Sequence, residues 1–338
     1  MYKKSLALVL AALLIVCAAL LGGCKKTEEL NIPVLEIPEE EIPTTGELAS
    51  STRTTTVYYK DAAGYLVPVM KTIPWADGIA KATLAMMVGS EENAAEAASL
   101  GLETVIPDGT QVDIDISAEK IATVSLSPNA DTWASALDES NMVSAVVCAL
   151  TEFSSVDEVQ LLINGHSVPT LKNGTNISAP ISRNDINLES LTEEISVTGV
   201  NKIELYFESL QSGAMVPVTR MVFSNDDIET AILELLKGPK PNSGLSATLP
   251  NDAALISVTK NGGIVTINFT EEFINVANEI DGGRNAIKSL MLTCAQFDGV
   301  EDVKLQVNGK AWEPTEATLA IPTFVNSEDE NIYNYMYE

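Results

Sequence analysis

The chain has 338 residues and carries 47 acidic against 20 basic side chains, a formal net charge of −27. So acidic a surface repels phosphate backbones and anionic headgroups, which excludes nucleic acid as a natural partner. With one histidine and four cysteines in the whole chain, the usual ligand sets of catalytic zinc are missing, and no metal or cofactor is expected.

In chain order, Lys3 and Lys4 precede an apolar run from Leu6 to Leu21. The run is shorter than the roughly 18 residues of a membrane-spanning helix and suits a secretory signal peptide. Leu21-Gly22-Gly23-Cys24 resembles a bacterial lipobox, so residues 1–23 read as a lipoprotein signal peptide and Cys24 as the lipidated first residue. Acyl chains such as palmitate, at about 0.8 kcal/mol per buried methylene, make such an anchor effectively permanent. The expected location is the extracytoplasmic face of a bacterial membrane, of Gram-positive type. The competing reading is an uncleaved N-terminal anchor helix. Residues 24–55, rich in Glu, Pro and Thr, read as a flexible tether.

The remainder is written twice. "DEVQLLINGHSVP" from Asp157 returns as "EDVKLQVNGKAWEP" from Glu301, with Val159 and Val303 standing 144 positions apart. "GYLVPV" (Gly64 to Val69) matches "GAMVPV" (Gly213 to Val218), and "TLAMMVGS" matches "ILELLKGP". This gives a first domain at 56–172, a connection at 173–200, a second domain at 201–314 and a tail at 315–338.

Within a copy the periods are legible. "IELYFES" and "MVPVTRMVF" read as two strands, with Pro217 suited to an edge. Ile228, Ala231, Ile232, Leu235 and Leu236 follow helical spacing, and Gly238-Pro239 ends the pattern. "ALISVTKNGGIVTINFT" reads as a hairpin around Asn261-Gly262-Gly263. Arg284 to Phe297 reads as a second helix, and "VEDVKLQVNGKAWEP" as a strand, an Asn-Gly turn and a short return. The expected fold class is α+β: two tandem copies of β-β-α-β-β-α-β-β, each a mostly antiparallel sheet with two helices on one face.

Candidate chemistry is sparse, and no catalytic residue is nominated. His166, the single histidine, follows the Asn164-Gly165 turn and has Lys310 as its counterpart, so a solvated turn residue outweighs a nucleophile's base. Asp113, Asp115, Ser117 and Glu119 at period two form either a cation stripe or the wet face of a strand. Asp281 to Asn285, "DGGRN", is either an anion-binding helix start or a loop entering a helix. Cys294 sits at i+7 from Ile287 as a small core residue, and a Cys148–Cys294 bridge is disfavoured. The tail's Tyr333, Tyr335 and Tyr337 offer aromatic contacts or simply a mobile end.

A helix ending in Gly-Pro, "LPNDAALISVTKNGGIVTINFTEEF", and a helix leading to "FDGVEDVKLQVNGK" together resemble the GerMN-domain family of sporulation and spore germination proteins. The resemblance covers roughly Val57 to Pro314. The first copy departs from it at Gly89-Ser90 and at "ADTWASALDES". The resemblance implies a non-catalytic, membrane-anchored envelope lipoprotein in sporulation or germination, and no family site residues to transfer. Duplicated sheets favour a protein-interaction scaffold with envelope proteins as partners. The alternative is a module binding peptidoglycan, which Trp75, Trp133 or Trp312 exposed on one surface would favour.

Overall fold

A computed structural model describes residues 52–74, 78–189, 200–278, 280–312, 319–320 and 325–327. The signal peptide, Cys24, the tether, Trp75 and the tyrosine tail lie outside the described residues. The first copy begins with an antiparallel hairpin, β1 (Thr52–Lys60) and β2 (Leu66–Pro74), in unbroken register from Thr52↔Pro74 to Lys60↔Leu66. Helix α1 (Ile79–Met86) follows. A side chain closes the chain's exit from it: the Asn93 amide donates to Ala85 O in the last turn and to Val88 O just beyond the helix, each at 2.8 Å.

Helix α2 (Glu91–Ser99) is capped by Ser90, whose hydroxyl accepts from Asn93 N, with Glu91 and Glu92 at its positive end. The sequence reading does not contain this helix. Its "EENAAEAAS" buries only Ala97, so it has no apolar stripe for a periodicity search to find.

Next come β3 (Val112–Ile116) and β4 (Ile121–Leu126), then α3 (Ala136–Thr151), β5 (Glu158–Ile163) and β6 (Ile181–Ser182). β3 and β6 run antiparallel to their neighbours, while β4 and β5 are parallel, joined across α3. The second copy repeats the plan: β7 (Asn201–Ser209), β8 (Met215–Val222), α4 (Ile228–Leu236), β9 (Leu245–Ser246), β10 (Leu255–Asn261), β11 (Ile264–Phe269), α5 (Ile280–Ala295) and β12 (Asp302–Val307). Short strands β13 (Lys310–Ala311) and β14 (Leu319–Ala320) both pair with β12.

The α+β class and the repeated strand–helix order therefore hold, and the layering adds to them. In neither copy does the N-terminal hairpin join the second sheet; the strand orders β3-β4-β5-β6 and β10-β11-β12-β13 exclude it. Helix α3 packs on β1 and on β5, so it is enclosed between hairpin and sheet. That explains why Ala145 to Leu150 are buried consecutively: a helix covered on two sides has no wet stripe.

The Asn-Gly turns behave as expected. Asn164 and Gly165 have φ of 52° and 76°, and Asn308 and Gly309 have 49° and 77°, the left-handed pair of a tight hairpin turn. Of the two readings of Asp281 to Asn285, a helix start and a loop entering a helix, the structure shows the first: these residues open α5. Gly283 lets the chain pass close there, since a Cβ would stand 3.2 Å from Val276 O.

Candidate functional site: the junction between the two copies

Both copies belong to one compact unit, and their hairpins meet along β2 and β8. Pro68 and Pro217 occupy the same place in the repeated Gly-x-x-Val-Pro-Val and lack an N–H, so these strands cannot form a continuous ladder with one another. Two asparagines fill the gap. Asn187, in the connection, accepts from Leu66 N at 2.8 Å and donates to Leu66 O and Pro217 O at 2.7 Å each. Asn326, in the tail, accepts from Met215 N at 2.8 Å and donates to Met215 O at 2.8 Å and Pro68 O at 2.9 Å.

The main chains repeat the exchange. Asn187 O accepts from Thr219 N at 3.3 Å and Asn326 O from Met70 N at 2.7 Å. The connection therefore pairs with β8 of the second copy, and the tail with β2 of the first, giving a pseudo-two-fold junction.

Arg220 secures the connection side. It forms a two-pronged pair with Glu189, Nε–Oε2 2.7 Å and Nη2–Oε1 2.8 Å, and also donates to Glu234 O and Gly238 O at 3.0 Å each. Its guanidinium carbon lies 5.7 Å from the Phe207 ring centre. The first copy places Lys71 at the equivalent position, 2.6 Å from Glu96 and 5.8 Å from the Tyr59 ring centre.

A cavity of about 180 Å³ at the same junction is lined by Tyr58, Glu152, Arg183, Glu204 and Tyr206 among others. Tyr58 Oη donates to Glu152 Oε1 at 2.9 Å, and Arg183 Nη2 reaches the same oxygen at 2.8 Å. Tyr206 donates to Glu204, whose backbone is held by the Gln296 amide. Burial, reinforced by the neighbouring carboxylates, pushes both tyrosine hydroxyls well above their ordinary range. Burial likewise raises Glu204, against the Tyr206 hydrogen bond and the pull of Arg183. This arrangement fixes two domains relative to each other; it does not pair a nucleophile with a base.

The residues singled out in the sequence are scattered. His166 is exposed at its turn. Asp113 and Asp115 are exposed on β3, with Asp113 3.2 Å from Lys81. Among the described residues no group of three His, Cys, Asp or Glu side chains could hold a metal ion. Cys148 and Cys294 are buried free thiols. Trp312 is buried, edge-on to Phe273 at 5.5 Å, and Trp133 is half-buried beneath the Lys60 ammonium at 4.9 Å; neither presents an open stacking face. No described helix is long and apolar enough to cross a membrane.

Sequence reasoning missed Asn187 and Asn326. A signal existed: Ile186-Asn187-Leu188-Glu189 returns as Val325-Asn326-Ser327-Glu328, in segments set aside as connection and tail.

Two small α+β domains locked together by exchanged segments define a tandem-domain architecture, and the comparisons agree. The family described as sporulation and spore germination (Germane) matches residues 56–169 and 204–313, and the chain belongs to it. The spore germination protein GerM of Bacillus subtilis (strain 168) is 34% identical over 272 residues, covering 78% of this chain and 74% of that protein. The solved tandem GerMN domains of the sporulation protein GerM from Bacillus subtilis align with a TM-score of 0.68 at 32% identity. That alignment covers 82% of this chain and 99% of that structure.

Proposed function

We propose that this protein is a non-catalytic lipoprotein, anchored outside the cell membrane through Cys24, which acts as a protein-interaction scaffold in sporulation or spore germination. The carrying observation is the junction. Paired asparagines and the Arg220–Glu189 pair hold the two copies in one relative orientation, so their sheets form a fixed two-part surface. A scaffold needs such fixed geometry, because preorganised faces bind without the entropic cost of being ordered on contact. Membership of the sporulation and germination family supports the biological setting.

The anchoring half is tested by Cys24→Ser in cells. The expected result is loss of palmitate labelling, release from the membrane fraction and a sporulation or germination defect equal to that of a deletion. Full activity from an unlipidated chain contradicts it.

A further inference from the structure

We propose that the junction between the two copies responds to pH through Glu204, closing more firmly when this carboxyl is protonated and loosening as rising pH ionises it. The proposal is independent of the scaffold reading and stands on the asymmetry of the pseudo-two-fold.

In the first copy the junction carboxylate is Glu152, at the end of α3. It has its own cation, Arg183, at 2.8 Å, and a hydrogen bond from Tyr58. In the second copy the equivalent helix position is Gln296, and the carboxylate has moved onto the strand as Glu204, where the first copy has Thr56. Aligning the connection with the tail on Asn187 and Asn326 puts Pro322 where Arg183 stands. The second carboxylate was thus added to the junction without a second arginine.

The groups facing Glu204 confirm the imbalance. Its own strand contributes Tyr206, which donates to it, and Lys202, which is engaged with Asp185. The connection contributes Arg183 and Asp185, α3 contributes Glu152, β1 contributes Tyr58, and α5 contributes the neutral Gln296. Arg183 therefore lines one small cavity together with two carboxylates, and its ion pair, at 2.8 Å, is with Glu152.

An enclosed carboxylate short of positive charge favours its protonated form, and the raised value of Glu204 agrees with this. With its folded value above the unfolded one, the proton taken up on closing stabilises the junction fully below about pH 4.3. That stabilisation is lost as pH rises through the folded value.

Hydrogen exchange of the full chain tests this at Met70 N and Thr219 N, the amides that close the two exchanged segments. Protection, corrected for the chemical exchange rate, is expected to fall as pH rises through the folded value of Glu204 and to level off above it. In Glu204→Gln it should stay high and flat. Tyr206→Phe removes a hydrogen bond that favours the ionised carboxylate, so the transition should move to higher pH. A Glu204→Gln profile that coincides with that of the unsubstituted chain overturns the proposal. So does an unmoved transition in Tyr206→Phe, should Glu204→Gln fail to fold.

Discussion

Asn187 and Asn326 make the same three side-chain hydrogen bonds with exchanged partners: Leu66 N, Leu66 O and Pro217 O for one, Met215 N, Met215 O and Pro68 O for the other. The hairpin of each copy is completed by the segment that follows the other copy in the chain. Substituting either asparagine by alanine leaves three partly enclosed backbone groups without partners. The expected cost is about 2–4 kcal/mol each, read from denaturant midpoints, with the double variant departing from additivity because both act on one junction. A loss below about 0.5 kcal/mol would show that the exchanged segments merely lie against the hairpins.

Arg220 spends its donors on the Glu189 carboxylate, more loosely on that of Glu234 at 3.4 Å, and on backbone carbonyls near the end of α4. Arg220→Lys removes the fork that a single ammonium cannot replace, and should cost about 2 kcal/mol, even though lysine is what the first copy carries at that place. Arg220→Ala leaves the nearly buried Glu189 with only the longer Lys240 contact at 3.9 Å, and should cost about 3 kcal/mol. Thermal denaturation of both variants separates the two effects.

Glu139 lies wholly inside α3's packing and accepts from Asn173 N at 2.7 Å, Asn173 Nδ2 at 2.9 Å and Thr175 N at 3.0 Å. Burial alone raises a carboxyl, but these donors outweigh it and hold Glu139 below its ordinary value. Its stabilisation is therefore present above the unfolded value, near pH 4.3, and disappears as pH falls through the folded one. Acid titration of stability should show this loss in the unsubstituted chain and not in Glu139→Gln, which should itself be about 1–3 kcal/mol less stable.

Burial pushes the Cys148 thiol up to about 11 and the Cys294 thiol to about 12. Both should resist a disulfide reagent at pH 8 in the folded protein, and both should react once denaturant opens the core. Rapid native modification of either would contradict the packing described around α3 and α5.

The sequence reading recovered what depends on local spacing. The amphipathic helix at Ile228–Leu236, the hairpin around Asn261-Gly262 and the two Asn-Gly turns each carry their pattern within a dozen residues. It missed α2, whose alanines bury almost nothing, and left Asp281–Asn285 between a loop and a helix start because a glycine pair suits either. Above all, it could not place the junction. Asn187 and Leu66 are far apart in the chain, and no period links an asparagine in a connection to a proline in a strand. Among the described residues the acidic stripe on β3 finds no further ligands to hold a metal, and His166 stands exposed at its turn.

The scaffold reading is tested most directly by a pull-down with residues 27–338 against two pools, solubilised membrane proteins of the same cells and purified cell wall. It should be run with a face variant, Thr259→Arg with Lys304→Glu, on the exposed side of β10 and β12. The account predicts retention of defined membrane proteins by the unsubstituted chain, and loss of at least one of them with the variant. Saturable sedimentation with wall alone, and no membrane protein retained, would contradict it and make this a wall-binding module.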